Sequence, residues 1–168
     1  MTYEELLETA DAEGLIVKEK PLSGSNGRIY KNRVAIRSDI KTTIEKSCTL
    51  AEEIGHYKTT YGDITRLDSV SNAKQEHRAR VYGYDIKVGL SGIIKCYEHG
   101  CRTLHEMAEL LDVTENYLDT VISTYRQKYG MYATLDNYII YFEPCLGVMK
   151  LKEYKCRTNC IECDIYNS

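Results

Sequence analysis

The chain has 168 residues, 43% of them hydrophobic and 28% charged, and a formal net charge of −3. This length suits one well-cored domain with a small appendage and excludes two large independent domains, while the acidic balance gives no general attraction to nucleic acid. Because no apolar run approaches the roughly 20 residues of a membrane span and no signal-peptide pattern follows Met1, we expect a cytoplasmic protein without a membrane partner.

The first part of the chain is predicted to be a helix followed by a small β-hairpin. Apolar residues on one side of residues 2–13 indicate a helix that Gly14 ends, and residues 15–17 are typical of a short strand. Residues 28–30 and 33–36 flank a turn-like pair at 31–32, which favours a hairpin. Seven basic residues against two acidic ones lie between Lys18 and Lys41. They form either a solvated basic loop or a surface that meets an acidic partner.

A helix beginning at Thr42 or Thr43 carries the most informative motif. Apolar or small residues recur there with a helical period, at positions 44, 48, 51 and 55. The helix contains Glu52-Glu53-Ile54-Gly55-His56, the zinc-peptidase motif H-E-x-x-H with its first histidine replaced by glutamate. In the intact motif, residues i and i+4 bind one metal and the glutamate at i+1 deprotonates the metal-bound water. Here those places are held by Glu52, His56 and Glu53.

A second helix is predicted over residues 73–88. Asn72, with Gln75 three residues later, gives it a capping-box-like start, and Gly89 ends it. Its small residues Ala79 and Gly83 would let the two helices approach closely, and Gly55 on the first helix has the same effect.

Glu76 on the second helix is the predicted third ligand. A carboxylate from a helix that follows the H-E-x-x-H helix is a common way to complete a three-ligand catalytic zinc site. The alternative is that Glu76 pairs with Arg80 at i+4 on a solvated face. His77 lies about 100° around the helix from Glu76 and is therefore a poor ligand.

The order of these elements resembles the ImmA/IrrE family of metallo-endopeptidases, which are found with prophage and mobile-element repressors. The resemblance covers roughly residues 1–90. It is carried by the N-terminal helix, the hairpin at 27–36, the segment Leu50-Ala51-Glu52-Glu53-Ile54-Gly55-His56-Tyr57 and the element Glu76-x-x-Ala79. It implies metal ligands at Glu52, His56 and Glu76, with Glu53 as general base. The implied partner is a helix-turn-helix repressor of the same mobile element.

Only Glu52 departs from the family's pattern, and it changes the expected metal chemistry. The altered motif resembles a subgroup from phages and integrated elements of Gram-positive bacteria. Two glutamates and one histidine bring the charge of a bound zinc ion to about zero, so the pKa of its water falls less and hydrolysis should slow. Glutamate is also a harder ligand than histidine, which makes manganese or iron plausible beside zinc.

Residues 104–122 have the pattern of a helix-turn-helix. A short amphipathic helix at 104–111 is followed by a turn at 112–114 and a second helix that Thr114 caps. Residues 101–130 contain five acidic and three basic side chains, which argues against contact with DNA phosphates. Residues 138–142 are then predicted to form a strand that Pro144 stops, with 146–149 as a possible partner strand.

The cysteines and the remaining histidines carry no clear site. An odd number of cysteines, seven, in a chain without an export signal argues against a disulfide framework. Cys156, Cys160 and Cys163 fall short of a structural zinc site unless Cys145 completes the set, so an untied tail with incidental cysteines is the preferred interpretation. His99 and His105 are interpreted as ordinary surface or semi-buried residues.

These observations predict an α+β fold. It has a mostly helical zincin-like core, a small N-terminal hairpin sheet and a C-terminal helix-turn-helix-like element with short strands. The predicted units are residues 1–92, a metallopeptidase-like domain, residues 93–151, a helical appendage with strands, and residues 152–168, a cysteine-containing tail.

The leading functional hypothesis is a metal-dependent endopeptidase that cleaves the repressor of a prophage or integrative element. The substrate would lie as an added strand along the hairpin. One alternative is an inactive pseudo-peptidase that acts as an antirepressor by binding, and a weaker one is a DNA-binding regulator. No small-molecule ligand is expected.

Overall fold

The computed structural model describes the backbone of residues 1–59 and 69–152 and the side chains of residues 1–59 and 73–152. Within those ranges the chain has the predicted α+β fold, with six helices and two three-stranded sheets. The elements follow one another as α1 (Tyr3–Ala12), β1 (Ile16–Lys20), β2 (Gly27–Tyr30), β3 (Arg33–Arg37), α2 (Thr43–Thr59), α3 (Ser69–Lys87), α4 (Gly89–Glu98), α5 (Leu104–Leu111), α6 (Glu115–Tyr129), β4 (Tyr132–Leu135), β5 (Tyr138–Tyr141) and β6 (Gly147–Lys150).

The N-terminal sheet contains the predicted hairpin and one further strand. β2 and β3 pair antiparallel around a tight turn in which Lys31 has a φ of 53°, and β1 pairs parallel with β3, giving the order β1-β3-β2. Alternate residues of β3, Val34 and Ile36, are buried in a hydrophobic cluster with residues of α1 and α2 such as Leu6 and Leu50. One face of the sheet therefore covers the helices, and the opposite face is exposed.

Helices α2 and α3 cross at two glycines, as their small residues predicted. A Cβ atom built on Gly83 would lie 2.7 Å from the carbonyl oxygen of Ala51, and one built on Gly55 would lie 3.0 Å from the amide nitrogen of Gly83. Real Cβ atoms do not approach other atoms that closely, so any larger residue would push the helices apart. This close crossing fixes the relative position of the two helices that carry the predicted site.

The second half of the chain contains the predicted helix pair and strands. Thr103 caps α5 in a capping box with Glu106, and Thr114 caps α6. β5 pairs antiparallel with β6, which confirms the predicted strand partners, and β4 completes the sheet on the other side of β5. Neither α4 nor β4 was predicted from the sequence. Residues of α4, α5, α6 and this sheet form the second hydrophobic cluster, which Cys48 of α2 and Tyr84 of α3 join.

The predicted start of α3 is wrong. The helix begins at Ser69, so Asn72 lies inside it and cannot be its N-cap. Residues 69–72 contain no helix-breaking glycine or proline, so the helix can begin before Asn72. The Asn72 and Gln75 pair that suggested a capping box is also compatible with the interior of a helix. Gly89, predicted to end this helix, has a φ of 63° and begins α4. The cysteines at 156, 160 and 163 lie outside the described residues.

Among the helices within the described ranges, none is both long enough and apolar enough to cross a membrane.

Candidate metal centre

The crossing of α2 and α3 brings together two of the three predicted metal ligands. Nε2 of His56 lies 3.5 Å from Oε2 of Glu76. Two ligands of one tetrahedral zinc ion, each at about 2.0–2.1 Å from the metal, lie roughly 3.3 Å apart. The observed separation therefore suits two ligands of one ion. The side chains of His56 and Glu76 are 27% and 44% exposed, so the pair is open to solvent.

Glu76 also makes the ion pair that the sequence analysis gave as the alternative. Its Oε1 atom lies 2.9 Å from Nη2 of Arg80, one turn further along α3. The carboxylate thus contacts His56 with one oxygen and Arg80 with the other. The ion pair with Arg80 is therefore observed, whereas a ligand role for Glu76 stays a prediction.

Glu52 is half-buried one helical turn before His56. Burial raises the pKa of its carboxyl group above the ordinary value, Arg80 lowers it and the neighbouring charge of Glu76 raises it. Among the side chains of residues 1–59 and 73–152, no three histidine, cysteine or acidic groups converge closely enough to hold a metal ion. The structure therefore pairs His56 with Glu76, and a ligand role for Glu52 stays a prediction.

Glu53, a residue of α2, is buried against the beginning of β2. A Cβ atom on Gly27, the first residue of β2, would lie 2.6 Å from Oε1 of Glu53 and 2.8 Å from its Cγ atom. Glycine at position 27 thus leaves the space that the Glu53 side chain fills. Burial, and then the negative charges of Glu52 and Glu76, raise the pKa of Glu53 to about 7. A carboxyl group with such a pKa can exchange a proton near neutral pH.

A cleft of about 420 Å³ lies between α2 and the N-terminal half of α6, and Glu52 is one of its lining residues. Its walls include Cys48 and Thr49 of α2, Tyr84 of α3 and Tyr117 of α6. The rings of Tyr84 and Tyr117 meet edge to face with centroids 5.2 Å apart. The buried hydroxyl of Tyr117 has no hydrogen-bond partner within the described part of the chain.

Sequence reasoning did not find Tyr84 and Tyr117. Tyr84 lies about two turns after Glu76 on the same helix, and this spacing was a usable signal. Tyr117 reaches the cleft only because α6 packs against α3 and shares a hydrophobic cluster with Cys48 of α2, and no local pattern contains that information.

The other histidines stand apart from this centre. His77 and His99 are exposed. His105 is exposed on α5, and its Nδ1 atom lies 2.8 Å from Oε1 of Glu115. These positions agree with the sequence interpretation of His99 and His105 as ordinary surface residues.

The sequence matches no protein-family model and no curated protein.

Proposed function

We propose that this protein is a metal-dependent endopeptidase that cleaves the helix-turn-helix repressor of a mobile element and so relieves repression. The proposal joins the resemblance to the ImmA/IrrE peptidases with one observation. That observation is the 3.5 Å approach of His56 to Glu76 across the α2–α3 crossing. Glu53, on the same helix as His56, is buried, and the charge of Glu76 contributes to the raised pKa of its carboxyl group. A histidine and a carboxylate on crossing helices can supply two of the three protein ligands that a catalytic zinc ion requires.

The metal would be held by His56 and Glu76, with Glu52 as third ligand after rotation of its side chain. Glu52 and His56 share one face of α2 because they are four residues apart, which supports this assignment. Zinc is the expected ion, with manganese or iron as alternatives for this oxygen-rich set. When bound, such an ion polarises the scissile carbonyl group and lowers the pKa of a bound water molecule.

The substrate would bind in extended form along β2. In the order β1-β3-β2, one edge of β2 has no strand partner among the described residues, and a peptide can add there by backbone hydrogen bonds. Glu53 contacts Gly27 at the start of this strand, so a scissile bond near Gly27 would lie close to its carboxylate. Glu53 would accept the proton of the attacking water and deliver it to the leaving amine.

One observation favours a second function, an antirepressor that acts by binding alone. Glu76 already has a charged partner within the protein, because its Oε1 atom lies 2.9 Å from Nη2 of Arg80. Such an ion pair within the protein is what a pseudo-peptidase would retain. A DNA-binding role has less support, since the exposed residues of the first turns of α6 include Glu115 and Asp119.

The first experiment measures metal content by mass spectrometry on protein purified without a histidine tag. The wild type is compared with His56→Ala and Glu76→Ala, and His77→Ala serves as the matched control because His77 is exposed on the same helix as Glu76. About one ion per chain in the wild type and the control, lost in the other two variants, supports a metal centre. No ion in the wild type after loading with zinc, manganese or iron contradicts it.

The second experiment separates the two functions. Glu53→Gln keeps the shape of the side chain but cannot act as a general base. In cells that carry the repressor, a peptidase loses repressor cleavage in this variant, whereas an antirepressor still relieves repression. Immunoblotting of the repressor distinguishes the two, because cleavage shortens it and binding leaves its length unchanged.

A further inference from the structure

The exposed face of the N-terminal sheet concentrates positive charge that the metal centre does not use. We propose that this face, called here the basic face and consisting of Lys18, Lys20, Arg28, Tyr30, Arg33 and Ala35, docks an extended acidic segment of a partner protein. The proposal does not depend on peptidase activity, because all of these residues lie on the side of the sheet opposite α2 and Glu53.

The pairing of the strands places the cations around a shallow depression. In the middle of the face, Ala35 of β3 pairs with Lys18 of β1 on one side and with Arg28 of β2 on the other. Arg33 lies two residues before Ala35 on the same face, and its β2 partner is Tyr30. Because the methyl group of Ala35 is short and its neighbours are long, the face encloses a depression of about 350 Å³.

Within the part of the chain that the structure describes, these charges have no carboxylate partners. Lys18, Lys20, Arg28 and Arg33 are exposed, and none of them forms an ion pair with a carboxylate among the described side chains. Nearby acids are engaged elsewhere, since Glu19 points to the other face and binds Lys46 at 2.8 Å. Asp39 is 2.7 Å from Arg37 at the end of β3. In a chain of net charge −3, four exposed cations on three short strands form a local field of the opposite sign.

The spacing of the charges suits an extended polypeptide. Lys18 and Lys20 are two residues apart on one strand, which separates them by roughly 6.6 Å, the same distance that separates alternate side chains of an extended peptide. Two carboxylates at positions i and i+2 of a partner can therefore face both lysines. A third carboxylate can reach Arg28 or Arg33, whose planar guanidinium groups bind carboxylates through two parallel hydrogen bonds.

A nucleic acid fits this face less well. Proteins that bind single strands place several aromatic rings in succession so that bases can stack, and Tyr30, 70% exposed, is the one aromatic residue on the face. Duplex DNA requires phosphate contacts along a longer basic surface than strands of four or five residues provide. The exposed tyrosine instead offers a flat apolar contact for the backbone or side chains of a peptide.

The test measures fluorescence anisotropy of a labelled peptide in which glutamate alternates with threonine. Probes for comparison are the same peptide with glutamine in place of glutamate, and a thymidine oligonucleotide of equal net charge. The protein variants are Lys18→Glu combined with Arg28→Glu, and Lys18→Gln combined with Arg28→Gln. The matched control is Lys95→Glu combined with Arg102→Glu, which changes the total charge equally at exposed positions of α4 and the segment that follows it.

We expect the full-length wild type to bind the glutamate peptide at low ionic strength and the glutamine peptide at least about tenfold more weakly. Both basic-face variants should lose about tenfold or more in affinity, and the control should change less than about twofold. No binding of the glutamate peptide, or equal losses in the control, overturns the proposal. Tighter binding of the oligonucleotide with the same variant sensitivity assigns the face to nucleic acid instead. Self-association that the basic-face variants abolish assigns it to a second copy of the chain.

Discussion

Replacing Gly55 by alanine is expected to destabilise the protein, although alanine is the better helix former. The methyl group would lie 3.0 Å from the carbonyl carbon of Ala79 and 3.0 Å from the amide nitrogen of Gly83, with the carbonyl oxygen of Ala79 closer still. All three atoms belong to the backbone of α3, so no side chain can rotate away. The helices must therefore separate.

The size of the effect follows from two opposing contributions. Overpacking a rigid contact costs typically 1–3 kcal/mol, and a clash with helix backbone belongs at the upper end, about 3 kcal/mol. The higher helix propensity of alanine returns about 1 kcal/mol. The net loss in the free energy of unfolding is thus about 2 kcal/mol, which for a chain of this size lowers Tm by roughly 4–8 °C.

Urea denaturation followed by circular dichroism measures this loss. Gly147→Ala is the matched control, because a Cβ atom there meets nothing within 4 Å and the residue has no positive φ. The double variant Gly55→Ala with Gly83→Ala should lose less than the sum of its two single variants, since one separation of the helices makes room for both methyl groups. The same separation should move His56 away from Glu76 and so weaken the proposed metal site.

A Gly55→Ala protein as stable as the wild type would refute this reasoning. It would mean that the α2–α3 contact adapts without cost, and the 3.5 Å approach of His56 to Glu76 would then not be fixed by the backbone crossing.

Three further predictions concern buried and capping groups. Tyr125→Phe should lower the free energy of unfolding by about 1–2 kcal/mol in urea denaturation, because the buried hydroxyl of Tyr125 donates to Oδ1 of Asp85 at 2.7 Å. Tyr117→Phe should be neutral or stabilising, because it removes a buried hydroxyl that has no partner in the described structure. Equal losses in the two variants would contradict this. Thr103→Ala should cost about 1 kcal/mol by removing the capping box of α5, and an unchanged midpoint would show that the cap contributes nothing. In chelator-treated protein, the pKa of Glu53 is about 7 in the folded state and 4.5 in the unfolded chain. The folded state therefore binds this proton more tightly, and the resulting stabilisation is fully present below pH 4.5 and is lost as pH rises to about 7. Relative to Glu53→Gln, the wild type should lose up to about 3 kcal/mol over that window, and parallel pH profiles of the two proteins would contradict the raised pKa.

The sequence predicted those elements whose cause is local. Thr114 and the apolar spacing around it were enough for the α5–α6 pair, since a cap and a helical period act within a few residues. The hairpin predicted at 27–36 followed in the same way from its turn residues. Helix α4 and strand β4 were missed. Helix α4 was missed because it begins at Gly89, a residue type that also commonly ends a helix. Strand β4 was missed because it forms by pairing with β5, and the local sequence does not reveal this pairing.

For the candidate site, too, some features follow from the local sequence and others only from the tertiary structure. The sequence by itself determined which side chains could do the chemistry, because the spacing of Glu52, Glu53 and His56 along one helix is a property of the helix period. Only the tertiary structure decided that His56 meets Glu76, that Glu53 fills the space left by Gly27, and that Tyr117 closes the cleft. These contacts join residues 20 or more positions apart, and their distances depend on how two glycines let two helices cross, which is a packing property of the whole fold.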